Sequence, residues 1–472
     1  MEPCPLYKKC GGCQLQNLPY PRQLQWKQAR CVKLLGSFGT VRPIIGMDNP
    51  WHYRNKVQAA FTWDKRRRKI VSGVYQSSTH RVVPVDSCQI EDQQADRIIV
   101  TLREMLPSFK LTAYDEDTGR GFLRHVLVKR GFATGEVMVV LVTGSPIFPS
   151  KKHFLAELLR RCPEITTVIQ NINDTRTSLV LGRREQVLFG PGYIVDELCG
   201  CRFRVSAKSF YQVNPRQTEV LYRQAMEFAG LSGREQVLDA YCGTGTIGII
   251  AAKQGAGSVL GVELNPDAVR DAVTNARENG VKQIRFACGD AGELMTDMAA
   301  AREPCDLVFL DPPRAGASRA FLQALCQLAP RRVVYISCEP ETLARDLRFL
   351  RGQYRVEAIQ PVDMFPHTKH VETVCLLSKL HANQHIEVEL QMDELDLTAA
   401  ESKATYEEIK EYVLKQSGLK VSNLYIAQVK QKCGIIEREN YNLPKSENSR
   451  QPKCPPEKEA AIREALEHFR MI

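Results

Sequence analysis

The sequence predicts an α/β protein: a doubly wound domain over residues 201–380, an antiparallel β-rich domain before it over 41–200, and a small helical domain over 386–472. Three observations predict this. Apolar runs at 236–240, 258–263, 306–311 and 332–337 alternate with segments of helical periodicity, which is how parallel strands covered by crossover helices read. Strand-like runs at 56–63, 70–75, 122–129 and 137–143 are instead separated by turn residues, such as Gly144-Ser145-Pro146. Beyond His381 the chain turns acidic. It has helical rhythm at 406–415 and 424–433 with Gly418 between them, a Pro/Asn/Ser-rich stretch at 442–456, and a last helix from Glu457, a helix-turn-helix-like pattern. Residues 1–40 stand apart as a cysteine-rich segment with one helical stretch over 20–35.

Composition narrows the classes. With 472 residues, 43% hydrophobic and 25% charged, the chain has enough apolar material for several cores and is not a disordered protein. It shows no signal-peptide run and nothing near the ~18 uninterrupted apolar residues of a membrane span, so a cytoplasmic enzyme is expected. Sixteen scattered cysteines in such a protein point to free thiols, metal ligands or catalysis rather than to disulfides. The net charge is +10, yet residues 386–472 hold 13 Lys and Arg against 16 Asp and Glu. The basic excess therefore lies wholly in the first 385 residues, where a polyanion would bind; plain solubility explains a positive charge equally well.

A cofactor site is written into the first strand of the doubly wound part. The strand VLDAY runs into CGTGTIG, and Gly243 and Gly245 let backbone approach a ligand at the start of a helix. About 20 residues on, Glu263 closes the next strand, where a carboxylate can accept hydrogen bonds from both ribose hydroxyls. Tyr241 and Cys242 stand where a dinucleotide site needs its first glycine, which favours an adenosyl cofactor over NAD. Asp290 is placed either to meet an adenine amine or merely to cap a turn. Asp311 ends a strand in LDPPRAG, and Arg314 stands where methyltransferases of exocyclic amines put a base-stacking aromatic residue.

The chemistry follows from two further residues. Carbon 5 of uracil attacks a methyl sulfonium only after a nucleophile has added at carbon 6, and a thiolate is the side chain best suited to that addition. Cys338 ends the strand RRVVYIS just before a helix, a position from which a lowered thiol pKa is expected. The carbon-5 proton must then leave to a base, and Glu372, in PHTKHVETVCLL, is placed to serve at the same sheet edge. Singly, a strand-end cysteine is most often a packing residue and a glutamate beside His370 a solvated one. Together, behind a cofactor loop, they are not easily dismissed.

The runs FRVSAKSFYQVNPRQTEVLY, DAYCGTGTIG, GVELN, LDPPRAG, ISCEPETLARDL and PHTKHVETVCLL resemble the successive motifs of the bacterial RNA uracil-C5 methyltransferase family, over nearly the whole chain up to Lys379. The resemblance implies a methyltransferase fold of Rossmann type, S-adenosyl-L-methionine as cofactor, contacts to it from Gln212, Tyr241, Glu263 and Asp311, Cys338 as nucleophile and Glu372 as base. Cys4, Cys10 and Cys13, with Cys88 as a fourth ligand, make a set of thiols whose spacing leaves zinc and an iron–sulfur cluster both open. The same arrangement resembles the [4Fe–4S] site of the family's rRNA branch, which implies a cluster and 23S rRNA as substrate. Arg54 and Lys56, among Trp51, Tyr53, Phe61 and Trp63, and Arg124 further on, are candidate RNA contacts, with a solvated basic hairpin as the plain alternative.

The expected activity is therefore methylation of a uridine in 23S rRNA. The same reaction on the T-loop of tRNA is the nearer rival, and an idle RNA-binding iron–sulfur protein the more distant one. No obligate protein partner and no membrane are implied. Two departures from the resembled family stand out: the sequence opens at its cysteines without the small β-barrel that many relatives place ahead of them, and 386–472 lies outside the family's pattern.

Overall fold

The computed structural model describes residues 4–380 apart from 77, 78, 80, 176 and 178, together with 406–433 and 454–469. Two compact units divide the chain, Met1–Ala382 and Asn383–Ile472.

The first unit holds two seven-stranded sheets. One contains β1 (Lys56–Asp64), β2 (Lys69–Tyr75), β3 (Val82–Pro84), β4 (Leu123–Arg130), β5 (Val137–Thr143), β6 (Ile165–Ile172) and β7 (Arg184–Phe189), in the order β3-β2-β1-β4-β5-β6-β7. Its neighbours run antiparallel except β5 and β6. The antiparallel β-rich module expected from the sequence departs from that pattern at this one pair: helix Lys151–Arg161 carries the chain back over the sheet, and such a crossover returns a strand parallel to its neighbour. All seven residues of β5 are buried. Alternation sends Val137, Val139 and Leu141 into a core under helix Gln93–Met105, and Met138, Val140 and Val142 into the core shared with the doubly wound part. An apolar run without alternation is what a strand covered on both faces requires.

A short hairpin, β8 (Ile194–Leu198) and β9 (Cys201–Val205), leads to the second sheet. There β10 (Gln236–Ala240), β11 (Ser258–Glu263), β12 (Ile284–Cys288), β13 (Leu307–Leu310), β14 (Arg332–Ser337), β15 (Tyr354–Val362) and β16 (Glu372–Lys379) are ordered β12-β11-β10-β13-β14-β16-β15. The strands β10 to β14 are parallel; β16 enters antiparallel between β14 and β15. The doubly wound fold expected from the sequence is observed. Helix Pro266–Glu278 shows how local sequence builds it: Asn265 caps its first turn, and Ala268, Ala272 and Ala276, one turn apart, give it a buried face.

The N-terminal segment joins this sheet rather than standing alone. Val41 and Ile45 bridge to Ile359 and Val362 of β15, and helix Tyr20–Leu35 buries Gln23, Lys27, Cys31 and Leu35, spaced four apart on one face.

The second unit contains helices Tyr406–Ser417, Asn423–Lys432 and Pro456–His468 around Ile409, Val413, Ile426, Val429, Ile462 and Leu466. Gly418, at φ +69°, turns the chain after the first helix. Most of the Pro/Asn/Ser-rich stretch lies outside the described residues. Among those described, no helix is long and apolar enough to cross a membrane.

Candidate active site

Strand order reverses between β10 and β13, so the loops leaving their carboxyl ends diverge and open a crevice. The loop after β10 forms one wall. Tyr241, Gly243 and Gly245 all have positive φ, at 64°, 55° and 80°. At Gly245 a side chain would meet the Phe286 ring at 2.9 Å, so only glycine fits; at Gly243 a Cβ would meet nothing within 4 Å, leaving backbone open to a ligand. Glu263, at the end of β11, holds this loop: its Oε2 accepts the Gly243 N–H at 3.1 Å and its Oε1 the Asn265 N–H at 2.8 Å. Asp311, just beyond β13, forms the other wall.

Gln212, Tyr241, Gly243 and Asp311 line one cleft together with Tyr222 and Thr246. Burial pushes the Asp311 carboxyl up to about 7. Asp239, beneath the loop, accepts the Gly248 N–H at 2.8 Å, while its Oδ1 is buried without a hydrogen-bond partner. Open backbone, an unsatisfied carboxylate below it and aromatic walls fit an adenosyl cofactor. Asp290 caps a helix, its Oδ1 accepting the N–H groups of Gly292 at 2.8 Å and Glu293 at 3.1 Å.

Beside this cleft the register of β14 and β16 brings the two chemical residues together. Ser337 is paired with Thr373, so Cys338, one step beyond, stands opposite Glu372, one step before. Glu372 is buried, and desolvation, then Asp311, push its carboxyl up to about 8 against the opposing pull of Arg314. Cys338 is half-buried, and desolvation, then Glu372 and Asp311, push its thiol up to about 12. The lowered thiol pKa expected at this helix N-terminus is thereby corrected: burial and two carboxylates outweigh the helix end and Arg314. Arg314, seen in the sequence only as a departure from another enzyme class, is the cation shared by both groups.

Sequence reasoning missed what holds these loops. Helix Tyr20–Leu35 lies against the segment leading to Glu372. Lys27 Nζ donates to Asp363 Oδ1 at 2.5 Å and to the Phe365 carbonyl at 3.0 Å, and both side chains of the ion pair are fully buried. Tyr20 donates to Asp363 Oδ2 at 2.9 Å, and the His367 N–H donates to Gln23 at 2.9 Å. One turn on, Arg30 pairs with Glu339, adjacent to Cys338, and with Glu341, and donates to the Lys369 carbonyl at 2.9 Å. One side chain thus ties the loop after the cysteine to the loop before the glutamate. No local signal marks Lys27, whose burial depends on Asp363.

The four expected metal ligands gather only in part. The Leu6 N–H points at Cys4 Sγ and the Gly12 N–H at Cys10 Sγ, each at 3.4 Å, while Cys88 packs on the small core that contains Cys13. Four thiols, two already accepting N–H bonds, fit a thiolate-ligated group in their chemistry. Their positions do not: among the described residues no three Cys, His, Asp or Glu side chains come together as a metal site.

Of the expected RNA contacts, Arg124 is corrected. It is buried, donates to the carbonyls of Asn173 and Thr175 at 2.8 Å each, and lies over the Tyr114 ring, so it ties a loop to β4. Tyr53 and Phe61 are core residues as well, because alternate positions of an edge segment and of β1 must face inward. Arg54 bridges through its backbone to Glu91, and Lys56 opens β1 beside Lys129, its charge disfavoured by burial and by Arg54. Trp51 stacks on His367 with ring centroids 4.0 Å apart, and Trp63 is exposed.

Residues 178–380 match the family model described as tRNA (uracil-5-)-methyltransferase. An uncharacterized RNA methyltransferase of Halalkalibacterium halodurans is 45% identical over 381 residues, spanning 79% of this chain and 82% of that one. A Bacillus cereus protein of the same description is 41% identical over 383 residues, spanning 80% and 83%. Among solved structures, the Pyrococcus abyssi tRNA (uracil-54, C5)-methyltransferase in complex with S-adenosyl-L-homocysteine superposes with a TM-score of 0.65 at 29% identity, covering 78% of this chain and 85% of that one.

Proposed function

Since the chain belongs to the RNA uracil-5-methyltransferase family, we propose that it methylates carbon 5 of a uridine in 23S rRNA, with Cys338 as nucleophile and Glu372 as base. The observation that carries this reading is the juxtaposition of Cys338 and Glu372 across β14 and β16, beside the cleft walled by Tyr241 and Asp311.

S-adenosyl-L-methionine, when bound, supplies a methyl group on a sulfonium. Gln212, Tyr241, Gly243, Glu263 and Asp311 are the residues that would hold it. Cys338 loses its proton to solvent and adds as the thiolate through sulfur to carbon 6, which pushes the ring electrons toward carbon 5 and the carbon-4 oxygen. Arg314 offsets the negative charge that Glu372 and Asp311 place around the sulfur. Once carbon 5 carries its methyl group, Glu372, as the carboxylate, takes the proton from that carbon. The carbon–sulfur bond then breaks, the electron pair returns to Cys338 and the carbon 5–carbon 6 double bond re-forms. A carboxyl held near 8 suits this role, because a base that is too weak would leave the adduct standing.

A [4Fe–4S] cluster on Cys4, Cys10, Cys13 and Cys88 is supported by their donor chemistry and by the resemblance to the rRNA branch, not by their positions; no step of the reaction passes through it. The tRNA T-loop is the second reading, favoured by the Pyrococcus abyssi enzyme's own substrate. Mapping 5-methyluridine in rRNA and tRNA from cells with and without the gene separates the two. Loss of one 23S rRNA site supports the first reading, and loss confined to tRNA overturns it.

A further inference from the structure

Outside the cofactor cleft, a groove of about 600 Å³ runs between residues 47–53, the start of helix Gln93–Met105, the end of β4 and the start of helix Pro215–Ala229. Its walls are chemically mixed. Trp51 supplies an aromatic face, its ring stacked on the buried imidazole of His367 and so fixed in orientation. Phe132 supplies a second, with the Arg130 guanidinium 5.4 Å from its centroid. The Gln94 amide and the exposed Arg216 guanidinium are without a hydrogen-bond or ion-pair partner among the described residues, whereas Arg130 is already committed to Asp92 at 2.6 Å. An aromatic face, an uncommitted amide and a free guanidinium are what an unpaired nucleotide needs: a surface to stack on, a partner for a base edge and a charge for a phosphate.

The groove's place adds to its chemistry. His367, under Trp51, lies in the loop that Glu372 terminates. At the other wall, Arg216 follows the stretch in which Asn55 donates to the carbonyls of Gln212 at 3.3 Å and Val213 at 2.9 Å, beside the cofactor cleft. A uridine withdrawn from its stack to reach Cys338 leaves its neighbours unstacked as well, and they must be held somewhere nearby.

We propose that this groove is a second nucleotide subsite, which takes an unpaired nucleotide flanking the target uridine, stacked against Trp51 with its phosphate on Arg216. The proposal rests on the chain acting on RNA, but its test does not depend on turnover. The chain has three tryptophans, at 26, 51 and 63, so a Trp26→Phe, Trp63→Phe protein fluoresces from Trp51 alone. Titration with a mixed-sequence single-stranded RNA hexamer should quench that emission saturably. Adding Gln94→Ala and Arg216→Ala, both away from the core, should weaken the hexamer roughly tenfold, as one lost phosphate contact and one base-edge contact would. In the otherwise unaltered enzyme the same two substitutions should raise KM for RNA with kcat and cofactor affinity retained. No quenching, or quenching and KM untouched by the two substitutions, would overturn the subsite. If the unaltered enzyme methylates no RNA while Trp51 is still quenched, the activity and not the groove is misassigned.

Discussion

Replacing Lys27 by Met should cost the first unit about 3–5 kcal/mol, the usual penalty for removing one partner of a buried ion pair. The structure places it at that level because neither side chain of the Lys27–Asp363 pair has any exposed surface. Without Lys27, Asp363 keeps the Tyr20 hydroxyl at 2.9 Å but loses the cation it pairs with, and the Phe365 carbonyl loses a donor. Unfolding entropy of ~2.1 cal/mol/K per residue over a unit of about 380 residues comes to roughly 0.8 kcal/mol/K, so the melting temperature should fall by about 4–6 °C. Scanning calorimetry of the unaltered protein and of Lys27→Met measures it. Adding Asp363→Asn should recover much of the loss, because the buried charge is then gone from both sides. A fall under 1 °C for Lys27→Met, or no recovery in the double variant, would refute the buried pair.

Four further outcomes are expected. Release of tritium from [5-³H]uridine RNA should rise steeply with pH from 6 through 9, because Glu372 takes the proton only when ionised, with its carboxyl held at about 8, and because the Cys338 thiol is pushed up as well; a flat profile from pH 6 to 9 would contradict it. By the same shift, stability contributed by the protonated Glu372 is full below its ordinary 4.5 and lost as pH rises through about 8, so denaturation at pH 6 and 9 should differ in that sense. Arg30→Ala should lower kcat roughly tenfold at unchanged cofactor affinity, with Arg30→Lys restoring part of it, since the side chain ties Glu339 to the Lys369 carbonyl and touches no reacting atom; an equal loss in KM alone would place it in binding instead. Protein purified without oxygen should be brown with about four irons per chain, and Cys10→Ser or Cys13→Ser should lose them while still binding S-adenosyl-L-methionine; one zinc, or no metal, would remove the main support for rRNA over tRNA.

What was legible in the sequence was what repeats or punctuates. The parallel strands showed as apolar runs, and Gly243 and Gly245 marked a turn whose positive φ the backbone does adopt. Cys338 and Glu372 were found because strand ends of a doubly wound sheet share one edge. What could not be read depended on partners far away in the chain. Lys27 reads as a solvated helix residue until Asp363, 336 positions on, is seen against it. Arg124 reads as a phosphate contact until the carbonyls of Asn173 and Thr175 close around it. The thiol of Cys338 was misjudged for the same reason: the helix end is local and visible, whereas the carboxylates of Glu372 and Asp311 arrive by folding.

The proposed reaction turns on a covalent bond between Cys338 and the RNA. With Glu372→Gln, methyl transfer can proceed but the carbon-5 proton has no base to take it, so the adduct should accumulate. The measurement is a denaturing gel of that variant incubated with transcribed rRNA fragments and S-adenosyl-L-methionine, followed by nuclease digestion and peptide mass mapping. The predicted result is a retarded protein–RNA species carrying a methylated uridine on the peptide that contains Cys338, absent when Cys338→Ala is added. An adduct on another cysteine, or normal turnover of both variants with no adduct, would contradict it.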